Sequence, residues 1–545
     1  MQIAAYQLGT DWVQPQTEDE AVALASDLIT GTHPLAVDVE TKSLKDRTPI
    51  GISICPTPNI SFYYPLWPEV SPYVPWRELL RTDRTLVMHN CMYDLDVMDG
   101  KLQTANIYDT MMACRYEGLP LALGDISPAF GIEIEPISEI LPKGKDMTEI
   151  EPELVVRKCS KDTIATFRLY QEAKDETNWL MMNLDMDVVP ILLKMSRRGV
   201  AVDPEMVEIL VEKYTKEAQY YRDICQGYGF SPGSRYQTGV ILSDRGNIMP
   251  QLTKVKKQIK VDEKVLRKLE DPLAAVVLNY SQAQGMLSKG LNRLRGHSRV
   301  YGKYGINSAT GRTTCSGANL PAHINFQQLF AKDDRREIRN VFVPDTGTWT
   351  DWDYSQLELR VLAYASQDPA MLEVFEGGGD IHQDAADRCN IPRKIAKNCN
   401  FALTYGASED TIAETGNFTL DVARNLLNLM RGAYPRLFSY MDEMKAIGVR
   451  EGKVEDIYGR VYHLEEQGID LKQMERNAVN YPTQGPASTI FKRSMLLIEE
   501  GGFDQAIEVH DQDVLDGRVE VPVEELENIA EFKTPIEIKY LERWE

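Results

Sequence analysis

Several features that would place a protein in a class at once are missing from this chain of 545 residues. Its eight cysteines include no Cys-x-x-Cys pair, so neither a zinc site nor a disulfide framework is indicated, which fits a reducing interior. No apolar run approaches the roughly 18 residues of a membrane helix, and Met1–Ala5 shows no basic stretch leading into an apolar core. These absences predict a soluble, cytoplasmic protein with no membrane partner.

An excess of basic residues is also lacking, because the formal net charge is −22 at pH 7. This value argues against binding of nucleic acid by bulk attraction but is compatible with a basic cleft in an acidic body. Hydrophobic residues make up 43% and charged residues 26% of the chain, as in ordinary globular proteins. The length is too great for one core and predicts roughly two to four domains.

The chain is organised around residues 350–360, which read Thr-Asp-Trp-Asp-Tyr-Ser-Gln-Leu-Glu-Leu-Arg. Alternation from Thr348 to Tyr354 predicts a strand, and apolar residues at helical spacing after it predict a helix. Successive strand side chains point to opposite faces, so Asp351 and Asp353 share a face. Paired carboxylates repel each other unless solvent or a cation lies between them, and on its own this segment favours a solvated strand end.

Four acidic side chains in the N-terminal third fall on a strand, a helix start and a helix in turn: Asp38, Glu40, Asp94 and Asp162. Leu35–Thr41 reads as a buried strand, and period two places its two acids on one face. Residues 85–90 read as a second strand ahead of the third acid, and Lys158 lies one helical turn before the fourth. The alternative is an α/β domain with solvated acids.

A further helix is predicted between Pro392, which is acceptable in a first turn, and Gly406, which can end a helix. Every fourth side chain of this segment lies on one stripe: Arg393, Lys397, Phe401 and Tyr405. Cations in a first turn oppose the helix dipole unless a polyphosphate binds there, and the rings then offer planar surfaces to a sugar and base. The alternative is an amphipathic helix with an aromatic core stripe.

Two other segments carry chemistry. Ile507–Leu515 predicts a hairpin with His510 and Asp511 at its tip. The densest basic run lies in a long, charged, helical region near residues 175–300 and consists of Lys254, Lys256, Lys257 and Lys260. A solvated helix face and a surface that grips phosphates explain this run equally well.

In this order the segments resemble the family A (polymerase-I-like) DNA polymerases that carry a 3′–5′ proofreading exonuclease domain. Residues 353–360 are similar to motif A of that family, and the stripe from Arg393 is similar to motif B. Residues 509–512 resemble motif C, in which Gln512 replaces the usual Glu. The N-terminal acids resemble the ligands of the Asp-Glu-Asp-Asp exonucleases, in which Tyr is usual at the position of Lys158.

The resemblance implies a fold of α/β and α+β type, in which an RNase-H-like exonuclease domain precedes a right-hand polymerase. The boundaries expected are 1–175 for the exonuclease domain, 176–300 for the thumb, 301–375 for the first part of the palm, 376–490 for the fingers and 491–545 for the second part of the palm. Because Asp38 lies so near the N-terminus, no room is expected for the separate 5′ nuclease of some relatives. Such compactness suggests a phage-type enzyme in the host cytoplasm.

The implied reaction is template-directed DNA synthesis from dNTPs on a primer–template, in replication or repair, with 3′–5′ proofreading. Two Mg²⁺ ions are implied in each site, with Mn²⁺ as a substitute, because all-carboxylate sets suit hard cations. The implied metal ligands are Asp353, Asp511 and Tyr354 in the polymerase site and Asp38, Glu40, Asp94 and Asp162 in the exonuclease site. Lys397 and Lys158 complete the catalytic set. No helicase, primase or processivity partner is indicated.

Further roles are implied by the same resemblance. The nucleotide-binding residues would be Arg393, Lys397, Phe401, Tyr405, Glu358, Gln356 and His382, with Glu358 crowding the sugar 2′ position. The DNA-binding residues would be Arg312, Gln327, Arg476, Asn480, Gln484 and His510. Two other classes compete: a nuclease whose C-terminal part only binds DNA, and a non-catalytic DNA-binding scaffold. Primer extension with and without Mg²⁺ separates all three.

Overall fold

The computed structural model describes residues 4–8, 18–99, 102, 106–175, 179–247, 259, 261–317, 320–330, 334–404, 406, 408–416, 418–465 and 469–545. Tyr405 of the predicted stripe and the basic run Lys254, Lys256, Lys257 and Lys260 lie outside these residues. No helix of the described part combines the length and the apolar character needed to cross a membrane.

The N-terminal domain is built on a six-stranded mixed sheet. Its strands are β1 (Ala4–Gln7), β2 (Leu35–Thr41), β3 (Pro49–Thr57), β4 (Ile60–Pro65), β5 (Thr85–Met88) and β6 (Asn106–Asp109), in the order β1-β4-β3-β2-β5-β6. Its helices are α1 (Glu18–Ile29), α2 (Trp76–Leu79), α3 (Cys91–Val97), α4 (Thr110–Glu117), α5 (Leu123–Ile126), α6 (Ile137–Ile140) and α7 (Pro152–Ala173). Because β2 lies inside the sheet and α7 packs across it, the acids of both elements face each other.

A helical region follows the N-terminal domain. It contains α8 (Trp179–Asp187), α9 (Val189–Arg198), β7 (Val200–Val202), α10 (Pro204–Gly227), α11 (Arg235–Asp244), α12 (Glu263–Leu266), α13 (Pro272–Met286) and α14 (Asn292–Leu294). Asp203 starts α10 because its carboxylate accepts hydrogen bonds from the N–H groups of Glu205 and Met206, with Pro204 in the first turn. Helices α10 and α13 pack along each other.

The remaining chain combines short strands with a second helical layer. The strands are β8 (Arg299–Val300), β9 (Lys303–Gly305), β10 (Thr314–Ser316), β11 (Phe342–Val343), β12 (Trp349–Tyr354), β13 (Lys453–Glu455), β14 (Val461–His463), β15 (Gln505–Val509), β16 (Gln512–Asp516) and β17 (Ile536–Leu541). The helices are α15 (Leu357–Ser366), α16 (Pro369–Glu376), α17 (Ile381–Cys389), α18 (Arg393–Leu403), α19 (Glu409–Gly416), α20 (Leu420–Ala433), α21 (Pro435–Glu451), α22 (Leu471–Glu500) and α23 (Val523–Glu527).

A four-stranded antiparallel sheet in the order β15-β16-β12-β17 supports the C-terminal half. Its register sets Asp353 opposite Gln512 on one side and opposite Glu537 on the other. Trp349, Trp352 and Trp544 are fully buried against it. Their large apolar surfaces anchor the sheet in the core, so the end of β12 is held rigidly.

Two helices that follow the expected boundary at residue 176 pack on the C-terminal half of the chain. Helix α8 packs on α22, and α9 packs on β9 and β15, so both helices share the core of the four-stranded sheet. Both helices fall in the range 176–300 that the sequence assigns to the thumb, and that boundary stays a prediction. Apolar periodicity cannot reveal which partner a helix face will find.

Two candidate active sites

The first site is a cleft of about 480 Å³ above the end of β12. Gln356 adopts a left-handed conformation (φ 59°), which turns the chain sharply from the strand into α15 and leaves Asp353 at the rim. Side chains from six separate segments line the cleft, namely Arg312, Asp353, Gln356, Glu358, His382, Arg393, Lys397, Phe401, His510, Asp511 and Glu537. The fold thus brings together most of the residues predicted for nucleotide binding and synthesis.

The cleft concentrates negative charge at Asp353 and Asp511. Desolvation in the cleft and the Asp511 carboxylate raise the pKa of Asp353 to about 8. Desolvation and the carboxylate of Glu358 raise the pKa of Asp511 to about 6. A divalent cation between the carboxylates would remove this repulsion, so the two side chains fit a hard metal ion.

Tyr354 was predicted as a further metal ligand. Its phenol oxygen lies 2.6 Å from the Ser494 hydroxyl and donates to the Leu526 carbonyl at 3.0 Å, away from the cleft. The Tyr354 side chain is therefore buried in the core and cannot reach a metal ion in the cleft. Only the main chain of Tyr354 is left to contact a metal, and that contact stays a prediction.

Helix α18 forms the opposite wall of the cleft. Arg393, Lys397 and Phe401 lie on one stripe, as predicted, and the Lys397 ammonium lies 5.6 Å from the centre of the Phe401 ring. Arg393 forms an ion pair with Asp380 at 2.6 Å. The Asn400 amide donates to Nδ1 of His382 at 2.9 Å, which leaves Nε2 as the N–H donor of the neutral ring. This wall presents cations and an N–H donor, as an anionic ligand requires.

The residues predicted to bind DNA have different environments. Arg312 forms an ion pair with Glu358, and the Gln327 amide donates to Glu508 at 2.7 Å. On α22, Arg476 is exposed and the Asn480 amide donates to the Thr404 carbonyl at 2.9 Å, whereas Gln484 is buried. His510 is exposed at the hairpin tip, as predicted. Their contacts with DNA stay predictions.

The second site lies in the N-terminal domain, where β2, α3 and α7 bring the four predicted acids together. The Asp94 carboxylate accepts a hydrogen bond from the Val39 N–H at 2.9 Å, which fixes it behind the strand. Burial and neighbouring carboxylates raise the pKa of Asp38, and burial likewise raises the pKa of Asp162. Asp38 Oδ2 and Asp162 Oδ1 are buried without a hydrogen-bond partner among the described residues, so the cluster fits a cation.

Lys158 lies inside this cluster. Its ammonium donates to Glu40 Oε1 and to Asp162 Oδ2, each at 2.7 Å. The sequence placed Lys158 on the same face as Asp162, and its ion pair with that residue confirms this. The pairing with Glu40 joins residues 118 positions apart and could not be read from local spacing.

Other charged contacts were missed by sequence reasoning. Gln512 donates to the Asp351 carboxylate, Glu537 borders the cleft beside Asp353, and Asp380 pairs with Arg393. Period two within β17 places Glu537 on one face of that strand, but only the register with β12 shows which residue it meets.

A buried ionic cluster joins the N-terminal domain to the C-terminal half. Asp185 of α8 forms ion pairs with Arg460 at 3.0 Å and with Lys492 of α22 at 2.5 Å. The hydroxyl of Tyr116, at the end of α4, donates to Asp185 at 2.8 Å. These charges hold the pKa of Asp185 at about 2 despite complete burial. We refer to these four residues as the Asp185 cluster.

A carboxylate pair facing a helix with cations and an exposed aromatic ring is the arrangement expected of an enzyme that transfers nucleotides. Residues 205–536 match DNA polymerase family A, and residues 12–178 match a 3′–5′ exonuclease domain. The chain belongs to DNA polymerase family A and combines its polymerase domain with an exonuclease domain.

Similar proteins include DNA polymerase I of Chloroflexus aurantiacus (27% identity over 94% of this chain) and of Pseudomonas aeruginosa (28% over 91%). The chain spans about 60% of the length of each of these relatives. They are bacterial, which gives no support to the predicted phage-type origin. The POL domain of Pol1 from M. smegmatis, solved with a DNA primer–template and dNTP, shares the fold, with a TM-score of 0.79 at 20% identity over 96% of this chain and 98% of that one.

Proposed function

We propose that this chain carries out template-directed DNA synthesis from dNTPs and removes nucleotides from the 3′ end of the product. The strongest support is the cleft in which Asp353 and Asp511 face the cationic stripe of α18. The carboxylate cluster of the N-terminal domain supports the second activity. Replication or repair synthesis is the process in which both activities serve together.

In the polymerase cleft, Asp353 and Asp511 would hold two divalent ions. When bound, such ions lower the pKa of the attacking primer hydroxyl and neutralise charge on the departing pyrophosphate. Arg393 and Lys397 would bind the triphosphate, because both cations line the same wall of the cleft. To do so, Arg393 must share or leave its ion pair with Asp380.

Three further side chains position the nucleotide. The Nε2–H of His382 can donate to a phosphate oxygen, since Asn400 fixes the ring tautomer through Nδ1. The Phe401 ring is 46% exposed and offers a planar surface to the base or sugar. Glu358, held by Arg312, would crowd the sugar 2′ position and so disfavour ribonucleotides.

In the exonuclease domain, Asp38, Glu40, Asp94 and Asp162 would bind divalent metal, and Mg²⁺ or Mn²⁺ suits their oxygen atoms. The family pattern places a Tyr where this chain has Lys158. A charged Lys can donate a hydrogen bond to water but cannot accept its proton. Excision by this chain should therefore be slow.

Several finer predictions accompany this assignment. The partners would be primer–template DNA and dNTPs, bound in part by Arg312, Gln327, Arg476, Asn480, Gln484 and His510. The number of metal ions in each site, the boundaries of the thumb, palm and fingers, and the cytoplasmic location stay predictions from the sequence.

Primer extension tests the assignment. The chain should extend a matched primer only when Mg²⁺ or Mn²⁺ is present, and Asp353→Asn or Asp511→Asn should abolish extension while excision of a mismatched 3′ end persists. Asp38→Asn should have the reverse effect, because its carboxylate lies in the other domain. Extension by Asp353→Asn at the wild-type rate would show that motif A is assigned wrongly and that Asp351 is the next candidate.

A further inference from the structure

The Lys158 side chain stands where a metal ion would be expected in the exonuclease cluster. Its ammonium lies 2.7 Å from Glu40 Oε1 and 2.7 Å from Asp162 Oδ2, so it bridges a strand acid and a helix acid. Only 14% of the Lys158 side chain is exposed. The ammonium is therefore enclosed by the cluster rather than extended into solvent.

A bridging ammonium and a bridging divalent ion exclude each other here. Mg²⁺ binds oxygen ligands at about 2.0–2.1 Å, so an ion shared by the same two oxygens would occupy the space and face the charge of the ammonium. For such an ion to bind, two charge-assisted hydrogen bonds must first break. The Lys158 ammonium therefore provides one of the positive charges that offset the repulsion between the acids.

Two other carboxylate oxygens of the cluster remain available to a cation. Asp38 Oδ2 and Asp162 Oδ1 are buried and have no hydrogen-bond partner within the described part of the chain. Neither of these oxygens is bonded to Lys158. The cluster thus offers two cation positions. The Lys158 ammonium fills one, and carboxylate oxygens without hydrogen-bond partners among the described residues line the other.

We propose that Lys158 permanently occupies one of the two cation positions of the exonuclease cluster, so that the site binds a single divalent ion. This inference rests on the proposed exonuclease function for the meaning of the site, but it concerns cation binding and not turnover. It makes Lys158 a positioning residue, which holds Glu40 and Asp162 in place without a metal.

The test is a Mn²⁺ titration of the full chain, followed by the electron paramagnetic resonance signal of free Mn²⁺. Asp353→Asn and Asp511→Asn are introduced throughout, so that the polymerase cleft does not contribute. Sites elsewhere are subtracted with a version that also carries Asp38→Asn and Asp162→Asn. We expect one ion in the cluster of this parent chain and two ions after Lys158→Met.

Lys161→Met is the matched control. Lys161 lies on the same helix, is also 14% exposed, and pairs with Glu135 at 2.8 Å outside the cluster. The Lys161→Met chain should bind one ion in the cluster, like the parent. Equal ion counts and affinities for the parent and for Lys158→Met would overturn the proposal, as would a second ion in the parent that binds within about tenfold of the first, since breaking two charge-assisted bonds should cost more than that.

Removal of Lys158 leaves buried acids without their cation, so folding is followed as well. Lys158→Gln keeps a hydrogen-bond donor without the charge and serves if Lys158→Met does not fold. The unfolding temperature of either variant should rise more on addition of Mn²⁺ than that of the parent, because more ions bind the folded state. An equal rise would count against the proposal.

The outcome is separable from the proposed function. Chains with an intact polymerase site can be assayed for removal of a mismatched 3′ terminus. If no excision occurs in any version while Lys158→Met still gains an ion, the exonuclease assignment fails and the cation inference stands. If excision occurs and the ion count does not change, the cation inference alone fails.

Discussion

The side-chain amide of Gln512 donates to both carboxylate oxygens of Asp351, at 2.8 and 2.9 Å. The family pattern has Glu where this chain has Gln512, so the expected charge is missing from motif C. The structure shows a carboxylate at Asp351 instead, close enough to raise the pKa of Asp353. In this chain a carboxylate on β12 therefore lies beside Asp353, and the Gln512 amide on β16 holds it in place.

Gln512→Glu should lower the unfolding temperature, because two hydrogen bonds become a repulsion between carboxylates. Extension should fall modestly, within roughly tenfold or ~1.4 kcal/mol of barrier, since Asp353 and Asp511 are unchanged. The exchanged pair Asp351→Asn with Gln512→Glu should recover both losses, and a double-mutant cycle measures this coupling. A hundredfold gain in extension from Gln512→Glu alone would instead show that the natural site is crippled.

Asp185→Asn should destabilise the chain strongly. Arg460 and Lys492 would be left buried without their counter-ion, and loss of one partner of a buried pair costs about 3–5 kcal/mol. The measurement is the denaturant midpoint of the full chain. Asp187→Asn, an exposed position two residues along the same helix, is the control and should leave the midpoint nearly unchanged. Equal midpoints for both variants would contradict the importance of the Asp185 cluster.

Glu508→Gln should change how stability depends on pH. Burial raises the pKa of Glu508 from 4.5 to about 7 in the folded chain, so the folded state binds a proton that the unfolded state releases. Wild-type stability should fall as pH rises between these two values, by up to about 3 kcal/mol. The amide introduced by Glu508→Gln cannot ionise, so the variant should be more stable than the wild type at pH 8. At pH 5 the difference in stability between the two chains should be much smaller.

Thermal unfolding at pH 5 and pH 8 provides this comparison. The control is Glu524→Gln, because Glu524 is exposed on α23. It should show the wild-type dependence on pH. If Glu508→Gln also follows the wild type at both pH values, the buried carboxylate makes no contribution to the pH dependence.

Phe401→Tyr should increase incorporation of dideoxynucleotides sharply, as the resemblance to motif B implies. A 3′-OH on the incoming nucleotide can contact its own phosphate, and a Tyr hydroxyl can replace that contact when the 3′-OH is missing. The Phe401 ring is half exposed in the cleft, so the added hydroxyl should not disturb the core. The measurement is the ratio of dideoxynucleotide to dNTP incorporation by each enzyme. Identical ratios would refute this role of Phe401.

Local patterns predicted the elements that carry the sites. The strand Leu35–Thr41 has the predicted bounds, β12 gives way to α15 as expected, and His510 and Asp511 lie at the tip of a hairpin. Each of these depends on periods of two or 3.6 residues within one segment. The α18 stripe was likewise predictable, because its side chains repeat every four residues.

Contacts between distant segments could not be predicted in this way. The partners Arg460 and Lys492 lie 275 and 307 positions from Asp185, and nothing in their local sequence marks them as buried. The sequence also gives no sign that Glu508 faces the interior, since a charged residue in a hairpin normally suggests solvent. Burial of charge is decided by packing and by the availability of counter-ions, which only the folded chain specifies.

The Asp185 cluster has a consequence for attempts to shorten this chain. Tyr116 belongs to the exonuclease domain, yet its hydroxyl bonds Asp185 and its ring lies 5.0 Å from the Arg460 guanidinium. Removal of the residues ahead of α8 would expose the buried Asp185 cluster to water. It would also remove the hydrogen bond that the Tyr116 hydroxyl donates to the Asp185 carboxylate. The exonuclease domain and the C-terminal half are therefore not easily separated. A version without the exonuclease domain would need new surface residues where Tyr116 now covers the cluster.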